Sequence, residues 1–347
     1  METLERPASP ATARSEYAAL SQSVRQAGLL EHRPGYYVLK LTSNVALLGA
    51  GIAAFVYLGD SWWQLVVAAY LAFVFAQIGF IGHDAGHRQV AKSRRVNDLI
   101  GLLCANLITG FSYSWWLNKH NRHHAHTNLV DRDPDIGAGA LVFTADQGRA
   151  RQGVARIISR YQAALFFPLL FLEAPNLHVA SVRALRQERR PGWIGESVLL
   201  SIHGLALVGG AFWLLSPVKA VVFLIVQQGL FGFYLGITFA TNHTGMPILA
   251  EADELGFLRR QVLTSRNITG GRRLTGFIFG GLDLQIEHHL FPAMPRANLR
   301  RARRLILPFC RSQGVAYSET TVTRAYRDIL RHLHTVGSGR RSPSCPA

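Results

Sequence analysis

Apolar residues along this chain gather in long runs rather than in the short amphipathic stretches of a water-soluble protein. Tyr36 to Leu58 is apolar apart from Lys40 and a few small polar residues near its start. Gly59-Asp60-Ser61 breaks the run, and Trp62 to Ile81 is apolar again. Trp193 to Leu215 and Val218 to Thr241 form a second pair, broken at Ser216-Pro217. Each run has the roughly 20 residues that a helix needs to cross about 30 Å of hydrocarbon. The pattern predicts an all-α integral membrane protein with four transmembrane helices in two hairpins. The alternative, helices buried in a large soluble core, fits less well with nearly chargeless turns and Trp at the edges of the runs.

Two further apolar stretches read differently. Leu99 to Trp116 carries Asn106, Thr109, Ser112 and Ser114, and crossing would separate the polar segments on either side of it. It is expected to be re-entrant or interfacial. Leu165 to Leu172 holds Pro168, is too short to cross, and is expected to lie on the membrane surface. Residues 1–35 are polar and read as a disordered N-terminal tail without the apolar core of a signal peptide. Residues 36–336 form the expected membrane domain, and 337–347 a disordered C-terminal tail.

Charge adds an orientation. The net charge is +16 although 49% of residues are apolar. Of 37 Lys and Arg, all but Lys219 lie in residues 1–40, 82–192 and 242–347, on one side of the four-span arrangement. The positive-inside rule makes that side cytoplasmic, in what is expected to be the cytoplasmic membrane. The three cysteines, Cys104, Cys310 and Cys345, form no CxxC pair, so neither a disulfide framework nor a thiolate zinc site is indicated. No nucleic-acid partner is expected. The arginine run Arg300-Arg301-Arg303-Arg304 reads as a solvated or lipid-headgroup face.

Histidine carries the chemistry. In His120-Asn121-Arg122-His123-His124, three histidines stand at i, i+3 and i+4, or about 0°, 300° and 40° around a helix. His83-Asp84-Ala85-Gly86-His87 places two more at i, i+4 directly after the second span. Gln285-Ile286-Glu287-His288-His289 repeats the i, i+3, i+4 pattern with glutamine in first place, and His243 ends the fourth span. One such pair is commonly incidental. Eight of fourteen histidines on one side of a four-span protein are not. Imidazole suits iron, zinc, copper and nickel. Eight are more than one ion can use while keeping a position open, so two ions are the economical count. Attack by O2 on an unactivated C–H bond needs a redox metal, which zinc is not.

These residues resemble the integral-membrane fatty acid desaturases with three histidine boxes. HDAGH looks like the first box, HNRHH the second and QIEHHLFP the third. The glutamine, with the flanks MPRANL and FCRSQGVAY, is similar to the subgroup of front-end and acyl-lipid desaturases. The likeness runs over roughly residues 36 to 330. It implies a cytoplasmic helical cap holding two iron ions ligated by His83, His87, His120, His123, His124, His243, His288 and His289. Gln285 is then a candidate weak ligand, Asn242 and Asp84 are candidate hydrogen-bonding partners of the ligands, and Trp115 and Trp116 candidate walls of a substrate channel. The implied reaction is O2-dependent removal of two vicinal hydrogens from an acyl chain carried on CoA, a carrier protein or a lipid, leaving a cis alkene. Hydroxylation or acetylene formation would use the same ligands. A membrane metal transporter or a zinc hydrolase are the readings from other classes. The 35 residues before the first span and the roughly 57 after residue 290 leave no room for a haem domain. Electrons are therefore expected from a separate ferredoxin or reductase docking on basic residues.

Overall fold

The computed structural model describes residues 10–253, 255–270 and 273–340. Among the described residues the structure is mostly helical, with one two-stranded parallel ladder pairing Asn267–Thr269 with Glu319–Thr321. It divides into two compact units. One comprises His32–Asn118 and Phe167–Ile237; the other comprises residues up to Glu31, Lys119–Phe166 and the residues from Thr238.

The first unit contains the long apolar helices Pro34–Leu58, Gln64–Gly86 and Trp193–Leu214, and most of Pro217–His243. All four are long and apolar enough to cross a membrane. Only 11% of the apolar window is buried in Pro34–Leu58 and in Trp193–Leu214, against 67% in Gln64–Gly86. Leu39, Val45, Ile52, Leu205 and Trp213 face outward. A soluble protein would bury such helices, because each exposed large apolar side chain forgoes about 1.5–3 kcal/mol of burial. The exposed faces are lipid faces, and the protein is a membrane protein. The more buried helix is the centre of the unit: Val67, Ala68 and Leu71 pack with Ala211, Ala220 and Phe223. Ala72, Phe75 and Ala76 pack with Ala105, Ala174 and Phe231. Gly51 makes the first hairpin tight, since a Cβ there would lie 2.5 Å from Leu71 Cδ2. The two hairpin turns meet: Asp60 accepts from the Ser216 backbone N–H at 2.8 Å and pairs with Lys219 at 3.0 Å.

The stretch expected to be re-entrant is bent. Helix Arg94–Thr109, π-helical over its last residues, and helix Tyr113–Ala125 meet at 111° across Gly110, whose φ of +81° suits glycine. The polar residues noted in the sequence hold the bend. Glu196, buried in the first turn of its span, accepts from Ser112 Oγ at 2.7 Å, Asn106 Nδ2 at 3.0 Å and the Ser114 N–H at 3.3 Å. Broken backbone at membrane depth persists only where protein groups satisfy it in this way. His203, in mid-span, reaches the Leu107 carbonyl on a neighbouring helix. Helices Gln162–Leu170 and Glu173–Glu188 form a second bent pair, at 75°.

The second unit corrects the expectation of a disordered N-terminal tail over residues 10–26; residues 1–9 lie outside the described residues. Residues 10–26 are helical. Tyr17, Leu20 and Val24, spaced i, i+3, i+7, present one apolar face, which packs on Leu258, Val262, Ile286, Leu290 and Ile306. Glu16 pairs with Arg259 at 2.9 Å, and Tyr17 Oη donates to the Leu290 carbonyl. The sparse apolar positions of a polar segment were enough to fold it because the partner surface is apolar. At the other end, helix Val322–Gly337 reaches Gly337; residues 341–347 lie outside the described residues.

The hairpin reading leads to a test. In a background with its native cysteines replaced, Asp60→Cys and Ser216→Cys should react with an impermeant maleimide from outside the cell. Ala150→Cys and Arg327→Cys should react only after the membrane is opened. Labelling of positions 150 and 327 alike from outside the intact cell would show that Leu99 to Trp116 crosses the membrane.

Candidate metal centre

Two short helices and one helix end bring six histidines together in the second unit. Helix Tyr113–Ala125 delivers His120, His123 and His124 from one face, as their spacing requires. Helix Gln285–Leu290, every residue of it buried, delivers Gln285, His288 and His289. His243 is the last residue of Pro217–His243. They fall into two groups: ring nitrogens of His120, His124 and His288 lie within 4.8 Å of one another, and so do those of His123, His243 and His289. Stacked rings of His124 and His289, centroids 4.1 Å apart, join the groups. His83 and His87 belong to the first unit, with ring centroids 4.7 Å apart. There Asp84 lies beside His83 Nδ1 at 3.4 Å and accepts from Tyr37 Oη at 3.2 Å.

The donor set fits metal ions. Two nitrogens bound to one ion at about 2.1 Å each can be no more than about 4.2 Å apart. Groups already within 4.8 Å need only small side-chain shifts. The tautomers fit as well. His123 Nδ1 lies 3.0 Å from both oxygens of Asp133. His289 Nδ1 lies 2.9 Å from Gln261 Oε1, and His243 Nδ1 lies 3.0 Å from the Thr264 carbonyl. Each acceptor fixes the proton on Nδ1, which leaves the lone pair on Nε2 for coordination.

Residues 60–321 match the family model described as fatty acid desaturase. The chain belongs to the fatty acid desaturase family. It is 32% identical to an acyl-lipid (9-3)-desaturase of Physcomitrium patens over 87% of this chain and 58% of that protein. It is 28% identical to a Delta(6)-fatty-acid desaturase of Caenorhabditis elegans over 91% of this chain and 74% of that one. It is also 27% identical to a Delta(8)-fatty-acid desaturase of Helianthus annuus, over 96% and 75%. The chain thus spans little more than half the length of the moss relative. The resemblance to desaturases, and to their front-end and acyl-lipid members, is borne out.

In this desaturase-family chain Gln285 has a particular place. Its Nε2 donates to His243 Nε2 at 2.9 Å, while its Oε1 accepts from Asn242 Nδ2 at 3.2 Å. The amide N–H, not the carbonyl, therefore faces His243, and a carbonyl ligand there would require the amide to turn over. Trp116 lies 5.7 Å from the His83 ring and packs on Gly86, where a Cβ would be 2.8 Å from Cζ3. Trp115 lines a narrow cleft with Ser112, Ser114, Glu188 and Arg190.

Several site residues escape a sequence reading. Asp133 is buried against His123; its nearness in sequence to a histidine box is the available signal. Gln261 joins His289 Nδ1 to the His124 carbonyl, with Thr127 beside it. Arg266, 3% exposed, donates to the Thr241 and Thr244 carbonyls and so caps the helix that ends in His243. Nothing in their local spacing marks Gln261 or Arg266. Behind the third box, Glu287 accepts from Asn267 Nδ2 at 2.8 Å and from Tyr317 Oη. Burial pushes its carboxyl up to about 7, against the lowering effect of those two donors.

The geometry predicts the effects of two sets of substitutions. His123→Ala and His288→Ala should each abolish turnover and lower bound metal, read by elemental analysis of purified protein; full activity in either would remove that histidine from the ligand set. Gln285→Ala, which takes the amide from His243, should cut turnover several-fold while Gln285→His keeps part of it. Unchanged turnover in Gln285→Ala would make the residue a packing element only.

Proposed function

We propose that the chain is an O2-dependent fatty acyl desaturase that inserts a cis double bond using two irons. The observation that carries the proposal is the double set of buried and half-buried histidines, with three Nδ1 atoms hydrogen-bonded so that Nε2 is left to coordinate. The proposed ligands are His83, His87, His120, His123, His124, His243, His288 and His289. Asp84 is proposed as the hydrogen-bonding partner of His83 and Asn242 as the residue that orients Gln285. Gln285, whose amide N–H meets His243 Nε2, is proposed to turn that amide away and act as a weak ligand when His243 coordinates. When bound, the two irons would supply activation of O2 and abstraction of hydrogen from an unactivated C–H bond. Overall, two vicinal C–H bonds, O2, two electrons and two protons become one C=C bond and two waters.

The protein's own residues orient and exclude. Membrane helices give an acyl chain an apolar surround, and the buried histidine unit keeps bulk water from the reacting carbons. Trp115 and Trp116 are proposed to wall the approach of the chain. We place the histidine unit on the cytoplasmic side, because the basic residues gather there. The acyl group is proposed to arrive on CoA, a carrier protein or a membrane lipid. The names of the similar proteins include acyl-lipid, Delta(6) and Delta(8) desaturases, so double-bond position is what product analysis must assign. The two electrons are proposed to come from a ferredoxin or a reductase. Arg300, Arg301 and Arg304, exposed on helix Arg296–Ser312, supply a surface for an acidic donor.

Expression in a bacterial host, followed by mass spectrometry of its fatty acids, should reveal new double bonds at a defined position. Hydroxylated products would overturn desaturation while leaving the metal centre intact. In purified form, substrate, O2 and NADPH should give no turnover until a donor system is added, and added salt should weaken the stimulation. Sustained turnover without a donor would refute the external electron path.

A further inference from the structure

Asp133 is surrounded by hydrogen-bond donors. Its side chain is fully buried, with 0% exposure. Both oxygens lie 3.0 Å from His123 Nδ1. Oδ2 accepts the Asn128 backbone N–H at 2.7 Å, and Oδ1 accepts the Asp135 backbone N–H at 2.9 Å. Three N–H groups therefore converge on one carboxylate, which can only accept. The loop carrying it is fixed in turn. Asn128 and Asp131 take positive φ, and Asn128 Nδ2 bonds the carbonyls of His243 and Pro247. The Leu249 N–H donates to the Asn128 carbonyl, and the Leu249 carbonyl accepts from the Val130 N–H. Asp135 lies 3.4 Å from His123 Nδ1 but is partly exposed and pairs with Lys119.

We infer that Asp133 is a positioning residue for one of the two metal positions: it fixes the His123 tautomer and thereby sets the metal affinity of the His123–His243–His289 group. The inference rests on the proposed metal centre and concerns the His123–His243–His289 group. The backing acceptors are a carboxylate for His123, an amide for His289 and a backbone carbonyl for His243. Of these three acceptors Asp133 alone carries full charge, so within this group it adds electrostatic support to a bound cation through its ligand.

Asp133→Asn is the discriminating change because it keeps the shape and alters the donor pattern. An asparagine has one acceptor oxygen and an NH2 group, yet three N–H donors point at it. The NH2 must face either a backbone N–H or His123 Nδ1. In the second case the His123 proton moves to Nε2, where the coordinating lone pair should be.

The test uses purified full-length protein in detergent, stripped of metal and titrated with Co(II), whose ligand-field bands report each position separately. Wild type should fill two positions. In Asp133→Asn one position should weaken by about 10–100-fold, the range for loss of a ligand's hydrogen-bonding partner, with the other unchanged. Asp135→Asn should fill both almost as wild type does. The double variant His123→Ala, Asp133→Asn should bind no more weakly than His123→Ala alone, because Asp133 acts through His123. Thermal unfolding of the metal-stripped variants separates this role from a merely structural one. Two wild-type positions in Asp133→Asn, or a further loss in the double variant, would overturn the inference. If Asp133→Asn does not fold, nitrogen NMR of 15N-histidine-labelled, metal-stripped wild type decides: Nδ1 protonation at His123 supports the inference and Nε2 protonation refutes it. A wild type that binds no Co(II) would instead refute the metal centre.

Discussion

An imidazole has two ring nitrogens, and a histidine that coordinates with one must dispose of the proton on the other. Buried away from water, that N–H needs a protein acceptor, or it costs about 1–3 kcal/mol and leaves the tautomer undefined. Much of the histidine unit follows from this requirement. The Asp133 loop, helix Phe257–Leu263 with Gln261, and the turn at Thr264 each place one acceptor behind one histidine. The three acceptors come from separate stretches of chain, so the unit must fold around the site as a whole rather than build it from local motifs.

The membrane unit meets a related constraint at larger scale. Apolar helices are cheap to place in lipid, but the sharp turn at Gly110 exposes backbone groups that lipid cannot satisfy. Glu196, Asn106, Ser112, Ser114 and Ser181 supply the missing partners. A buried carboxylate inside an apolar span is expensive on its own. Here it accepts from several donors at once and fixes where helix Tyr113–Ala125 starts.

What the sequence revealed and what it hid follow the same division. The four spans are legible because hydrophobic length is a one-dimensional property, and the i, i+3, i+4 histidines because helical phase is local. Even the bend near Gly110 left a trace, in the polar residues of an otherwise apolar run. Asp133 left only its nearness in sequence to a histidine box, and Gln261 left nothing, because its role exists only when distant segments meet. The helical N-terminal segment was hidden for a similar reason: Tyr17, Leu20 and Val24 are too few to signal a core, and the surface they cover lies more than 230 residues away in sequence. The ligand pattern was local while its support was not.

Acidic residues show how net charge and site chemistry are linked. Glu16, Asp84, Asp133, Glu196, Asp283 and Glu287 are all buried, each with a donor or a cationic neighbour in Arg259, Tyr37, His123, Ser112, Arg300 and Tyr317 respectively. With part of the negative charge drawn inward to orient side chains, the surface is more positive than the formal +16 already implies. The two populations respond differently to ionic strength. Exposed charges are screened over about 8–10 Å at physiological salt, whereas buried pairs are screened much less. Salt therefore acts on encounter with any anionic partner of the basic exterior and leaves the interior hydrogen bonds nearly untouched. An activity that falls with salt while metal content stays constant is then a property of the basic exterior, and the acids that hold the histidines do not contribute to it.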